Sequence, residues 1–296
     1  MFKPALFFLA SLRYLPLPVL RGLGVLLGLL IWTFARRRRH IVMTNLTLCF
    51  PQLDLYARQR LGRKHFIRVV QALLDRCWLW HSPQREVRAR VRLMGDAESL
   101  ELFKNTKLQQ SVEPLVIFAP HFVGLDAGWS ALALEGFREL TTIFTQQSSS
   151  EMDEWVYAGR MRFGRVRLFR KVQGVSDIVR SLKSGSALYL LPDMDFGAQD
   201  TVFVNFYGQS AATVTSLSRF AKVSKAKVIS VVTKMVPSGY EVWLSPVWDS
   251  YPTEDLTVDT QRMNSELERL IEAMPDQYYW VHRRFKTRPP GEQSLY

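Results

Sequence analysis

Apolar residues gather first in one long block, and then in short blocks that alternate with amphipathic stretches. Residues 14–35 are mostly apolar, and residues 22–35 (GLGVLLGLLIWTFA) carry no charge. Arg36-Arg-Arg-Arg39 follows directly. A spanning helix needs about 20 apolar residues, whereas the uncharged core supplies fourteen and lengthening it takes in Arg21, Pro16 and Pro18. The block therefore reads as a short transmembrane anchor or as a helix lying in the interface, with a buried helix of a soluble fold as the plain alternative. Four arginines stand where a cleaved leader would carry small residues, which argues against a signal peptide. The excess of basic residues after the block places the rest of the chain on the cytoplasmic side.

Residues 54–80 predict a long amphipathic helix, with Leu55, Leu61, Phe66, Val69, Val70, Leu73 and Leu74 as its apolar set. A basic connection spans 85–92. Beyond it, strands are expected at 116–119, 141–144, 187–191, 228–233 and 240–244. Helices are expected at 126–134, 152–163, 175–182, 211–222 and 258–274. Such alternation implies an α/β fold, a mixed central sheet flanked by helices, preceded by an N-terminal membrane-anchoring helix. Residues 1–40 form the anchor with its basic flank, and residues 41–296 a cytoplasmic α/β domain.

Composition adds a charge argument. The 296 residues are 47% hydrophobic and carry a net charge of +12, enough apolar matter for a large core and a surplus that favours an anionic partner. That partner could be nucleic acid, anionic lipid or an acidic protein. The two cysteines, Cys49 and Cys77, suit neither a disulfide framework nor a metal site, so a reducing compartment is expected. The G-x-S-x-G, P-loop, G-x-G-x-x-G and paired C-x-x-C patterns are all absent from the sequence.

One stretch carries the chemistry. Leu115-Val-Ile-Phe-Ala-Pro-His121 places an imidazole at the exit of a buried strand, and Asp126 follows at the start of a helical pattern. Strand exits are where α/β folds hold their ligands. His121 is a candidate general base and Asp126 its partner. His81 and Glu86 repeat the spacing, but in a Ser-Pro turn, and are read as a solvated chance match. Three further stretches look organised. Ala158-Gly159-Arg160-Met161-Arg162-Phe163-Gly164-Arg165-Val166-Arg167 offers guanidinium forks for phosphate, or is a solvated helix end. Leu190-Leu191-Pro192-Asp193-Met194-Asp195-Phe196-Gly197 puts two carboxylates after a strand, or is a plain Asx turn. Tyr278 to Lys286 interleaves aromatic and basic residues, as a binding surface or as a packed C-terminal segment.

His121-Phe-Val-Gly-Leu-Asp126, Gly159-Arg-Met-Arg162, Leu191 to Gly197 and Trp280 to Glu292, in that order, together resemble the late acyltransferases of lipid A biosynthesis (the lauroyl/myristoyl group of the lysophospholipid acyltransferase superfamily). Asn45 to Pro51 and Phe203 to Gly208 are also similar to family segments. The resemblance implies a glycerolipid acyltransferase-like fold and transfer of a fatty acyl chain from acyl carrier protein to a hydroxyl of a lipid A precursor. It implies the inner membrane of a Gram-negative bacterium, with no cofactor, no metal and no nucleic acid. Acyl carrier protein, the lipid acceptor and anionic inner-membrane lipids are the implied partners. His121 and Asp126 would be catalytic; Gly159, Arg160, Arg162, Asp193 and Asp195 would serve substrate binding. The oxyanion donors are sought among backbone N–H groups near His121. Rival readings are the same chemistry on another lipid acceptor (a lyso-ornithine lipid, a lysophospholipid or a glycolipid) and a non-catalytic basic surface protein.

Overall fold

The structure is a computed structural model that describes residues 3–104, 113–136, 138–147, 149–170 and 174–296. The chain opens with α1 (Lys3–Ser11), a 3-10 turn (Leu12–Tyr14), α2 (Leu17–Phe34), α3 (Arg36–Cys49), α4 (Leu55–His81) and α5 (Gln84–Arg90). Next come β1 (Val91–Gly95), α6 (Ala97–Lys104), β2 (Leu115–Phe118), α7 (Leu125–Glu135), β3 (Leu140–Phe144) and α8 (Ser150–Arg160). After them come β4 (Val166–Arg170), α9 (Val175–Lys183), β5 (Ala187–Leu190), β6 (Thr201–Phe206) and β7 (Gln209–Val214). The last elements are α10 (Ser216–Ser224), β8 (Lys227–Val236), β9 (Gly239–Leu244) and α11 (Leu256–Ala273).

Among the described residues, seven strands form one sheet in the order β1-β9-β8-β2-β5-β3-β4. Only the β8–β9 pair is antiparallel, so the sheet is mixed as expected. All four residues of β2 are buried, because helices cover both faces of the sheet. Leu115 and Ile117 face a core shared with α4 and α7, where Trp78, Leu79 and Trp129 pack. Val116 and Phe118 face the other core, with Leu182 of α9, Leu217 of α10 and Leu267 of α11. Each such side chain withdrawn from water contributes about 1.5–3 kcal/mol. β2 is thus fixed from both sides, and any segment leaving its C-terminal end starts from a rigid base.

Local chemistry explains where elements begin. Asp54 caps α4 by accepting the Ala57 N–H at 2.7 Å, and Asp255 caps α11 by accepting from Thr257 and Val258. The expected helix over 211–222 is corrected: Ala211 to Val214 belong to β7, and the helix starts only at Ser216. The cause is the tight β6–β7 hairpin, whose turn residues Tyr207 and Gly208 have φ of 52° and 77°. That conformation suits the twist of a two-residue hairpin turn. The 85–92 stretch that read as a basic connection is mostly α5, and β1 begins at its end; only Val91 of the five β1 residues is buried.

The apolar N-terminal block is helical and includes one helix, α2, long and apolar enough to cross a membrane (18 residues, mean hydropathy 1.9). It lies against α4. Asn45 of α3 donates to Trp280 O and His282 O at 2.8 and 2.7 Å and ties the C-terminal segment down.

Candidate active site

β2 and β5 are parallel neighbours, with Phe118 opposite Leu190. The chain continues as Ala-Pro-His121 from one and as Leu-Pro-Asp193 from the other, so register alone carries His121 and Asp193 out side by side. Ala119 N still donates to Leu190 O at 2.9 Å, extending the ladder by one bond. Asp193 is fully buried, and its Oδ1 lies 2.7 Å from His121 Nδ1. Its Oδ2 accepts the His121 backbone N–H at 2.9 Å. His121 O in turn accepts from Tyr279 N at 2.9 Å, so the residue is held by ring, N–H and carbonyl. The imidazole side chain keeps 20% of its surface exposed. Nε2 has no hydrogen-bond partner among the described residues. Burial alone would raise the Asp193 carboxyl, but the His121 charge and hydrogen bonds outweigh it and hold it below the usual carboxylate range. Burial, together with the same carboxylate, pushes the Tyr278 phenol well up.

Asp126 is placed differently from the sequence expectation. No hydrogen bond joins it to His121 among the described residues. Its Oδ2 takes Nε and Nη2 of Arg76 at 2.8 and 2.7 Å, and its Oδ1 takes Nε of Arg160 at 2.8 Å. Burial would raise its pKa; the two guanidiniums reverse that and lower it to about 2. Two cations around one anion leave a local surplus of one positive charge, with both guanidiniums partly exposed. Asp126 and Arg160 border a small cavity closed by Trp129, Tyr189 and Leu191. Arg76 stacks over Trp80, 5.2 Å from the ring centre.

The other expected site residues divide sharply. Arg160 belongs to this cluster, and its carbonyl accepts from Trp129 Nε1 at 2.8 Å. Arg162 does not point to a ligand: Nη1 donates to Leu79 O at 3.0 Å and Nη2 to Ser82 O, closing the C-terminus of α4. Gly159 serves contact between helices, since a Cβ there would stand 2.2 Å from Trp80 Cδ2. Asp195 binds the chain itself: it accepts from Gly197 N at 2.9 Å, from Thr287 N at 2.6 Å and from Thr287 Oγ1 at 2.8 Å. Nearby, His282 Nε2 accepts the Asp195 N–H at 2.8 Å, and burial lowers that imidazole to about 4.

One further sequence reading is corrected, and one is decided between its two alternatives. His81 is not solvated; it is half-buried, stacked at 17° to Trp155, and accepts from Trp155 Nε1 at 3.1 Å. The 278–286 segment is packed, with Tyr278, Trp280 and Phe285 buried and Arg284 donating to Ala212 O at 2.8 Å. The His121 N–H, an oxyanion candidate, is committed to Asp193. Arg76 was not singled out from the sequence, being one of many arginines on a long helix. An open depression lined by Lys222, Trp248 and Tyr251 lies at the start of β8, at the opposite end of the strands from His121.

The model of the bacterial lipid A biosynthesis acyltransferase family matches residues 5–287. The chain belongs to that family. It is 32% identical over 286 residues to the lipid A biosynthesis palmitoleoyltransferase of Escherichia coli (strain K12), covering 95% of this chain and 90% of the relative. It is 31% identical to the lauroyltransferase of the same organism, with the same coverage. To the myristoyltransferase it is 27% identical over 282 residues, covering 94% of this chain and 83% of that protein. As a lipid A biosynthesis acyltransferase family member, the chain is an acyl-transferring enzyme, and its α/β architecture agrees with the resemblance read from the motifs.

Proposed function

We propose that this enzyme transfers a fatty acyl chain from the thioester of acyl carrier protein to a hydroxyl of a lipid A precursor, with His121 as general base. Nε2 of His121 takes the hydroxyl proton as the oxygen attacks the thioester carbonyl; the C–S bond then breaks and the proton returns to the departing thiolate. Asp193 holds the Nδ1–H, so the lone pair sits on Nε2, and it stabilises the imidazolium that forms. The observation that carries this reading is the buried carboxylate 2.7 Å from one ring nitrogen of a part-exposed histidine at a strand exit. A binding protein has no use for such a pair.

Asp126 remains a necessary member of the site, acting through Arg76 and Arg160. It fixes both guanidiniums, which stay partly exposed and carry a net positive charge suited to the phosphorylated acceptor. Residues 1–40 anchor the enzyme to the inner membrane, with the remainder in the cytoplasm. The basic surplus of +12 favours both the anionic membrane and the acidic carrier protein. No cofactor takes part.

The test is incubation of the purified enzyme in detergent with carrier-protein thioesters of several chain lengths and a lipid A precursor, followed by mass spectrometry of the lipid. One added acyl mass, lost in His121→Ala, is expected. Acylation only of a lysophospholipid or lyso-ornithine lipid would replace the acceptor, and an unchanged rate in His121→Ala would remove the general base.

A further inference from the structure

α2 and α4 run antiparallel in close contact. Arg21 meets Asp75, Gly24 meets Gln71, Gly28 meets Ile67 and Trp32 meets Gly62. A Cβ on Gly24 would lie 2.7 Å from Gln71 Cγ, and one on Gly28 would lie 2.6 Å from Ile67 Cα. The glycines are what lets the two helices touch.

A buried ion pair locks this contact. Arg21 Nε and Nη2 donate to Asp75 Oδ2 at 3.2 and 2.9 Å, Nη2 also donates to Gly239 O at 3.0 Å, and Nη1 donates to Val236 O. Asp75 also accepts from the Tyr240 hydroxyl at 2.7 Å and from Trp78 Nε1 at 3.0 Å. Pulling α2 away would strand a charge inside the protein, so the two helices move as one body.

The rest of the α2 surface is uncharged and, Thr33 aside, apolar. Val19, Leu23, Leu26, Leu27, Leu30 and Phe34 are exposed, Leu26 at 57% and Phe34 at 76%. Such a continuous patch does not stay in water. Beside it on α4 stand the exposed Arg60, Arg63 and Lys64. Arg63 and Lys64 lie four and three residues before Ile67, the residue that touches α2, so they share its helix face. Were α2 to cross the bilayer, α4 would be carried in with it. Each buried cation would then cost about 2.5–3.5 kcal/mol even on the mildest scale.

We infer that α2 does not span the membrane but lies in the plane of its interface. Its outer face enters the acyl region of one leaflet, while Arg36, Arg37, Arg38 and the α4 cations meet anionic headgroups. Both ends of α2 sit at the same depth and on the same side as the catalytic site. This deepens the membrane reading above, and its test needs no acyl donor.

Single cysteines placed at Val19, Leu26 and Phe34 would carry a fluorophore in vesicles of phosphatidylethanolamine doped with phosphatidylglycerol. Cys49 and Cys77 are buried and stay unlabelled. Quenching by lipids spin-labelled at graded depths is expected to give one common depth. A spread of about 20 Å between positions 19 and 34, the rise of a helix along the membrane normal, would overturn the inference. The double variant Leu26→Asp, Leu30→Asp changes only exposed positions. It should lose at least about tenfold in vesicle binding while keeping its melting temperature; unchanged binding would also overturn the inference. A failed acyl-transfer assay with a common quenching depth would fault the acceptor or donor and leave the orientation standing.

Discussion

Asp193 and Asp126 are both buried carboxylates at the C-terminal end of the sheet, yet they are held in opposite ways. Asp193 is bonded to a histidine that can gain or lose a proton, and that histidine keeps its second nitrogen open. Asp126 faces two guanidiniums that never lose theirs, and its charge is fixed. The first arrangement can move a proton; the second can only hold charge in place. Proximity in sequence would have chosen the other carboxylate, because Asp126 is five residues from His121 and Asp193 is seventy-two. Strand register decides the pairing instead.

Substitutions can break this comparison, and the largest effect is expected at the proposed base. His121→Ala should lower kcat by about 10²–10⁴-fold with little change in melting temperature, measured by acyl transfer and thermal unfolding. Asp193→Asn comes next. The amide would turn an N–H toward Nδ1, favour the wrong tautomer and cost about 10²-fold or more in kcat, with KM nearly unchanged. Asp126→Asn should act more on stability than on any proton transfer. It leaves Arg76 and Arg160 facing each other without their anion, at a cost of about 2–4 kcal/mol in denaturant unfolding.

The pH dependence of stability tests the fixed charge of Asp126. The folded-state pKa of Asp126, about 2, lies below that of a free aspartate, so its stabilisation is complete above the unfolded value near 3.9. It fades as pH falls through about 2. Asp126 therefore stays ionised wherever the enzyme works and puts no limb on the rate profile. A chemical denaturation series from neutral pH down to acid, with wild type and Asp126→Asn converging at the acid end, would check this. The smallest effect is expected at Arg162→Ala, which loses bonds to two carbonyls at the end of α4 and about 1–2 kcal/mol of stability. Acceptor KM should not change, measured over a range of lipid concentrations.

How far the sequence could be read depends on which signals are local. β2 is legible because both its faces are buried and it reads as a bare apolar run, and α4 because its apolar stripe repeats over many turns. β1 and β4 are edge strands with one or two buried residues apiece, and they carry no such run. Ala211 to Val214 read as the start of the following helix, and the hairpin overrides that reading. In the site, His121 and the 191–197 segment stood out, but the 118–190 register that joins them is tertiary. The matching Ala-Pro-His and Leu-Pro-Asp exits are a faint local trace of it. Gly159 and Arg162 looked like ligand contacts because glycine and arginine serve close packing and carbonyl capping equally well. Arg76 carries no local mark at all, and only the approach of α4 to α7 gives it a role.

The most direct test of the site is kcat/KM for Asp193→Asn beside wild type at neutral pH, with acyl transfer read by mass spectrometry. In Asp193→Asn kcat/KM should fall by about 10²-fold or more, because the imidazolium that forms has lost its anion and the ring its tautomer. A kcat/KM unchanged in Asp193→Asn would contradict the His121–Asp193 pair and return the partner role to Asp126.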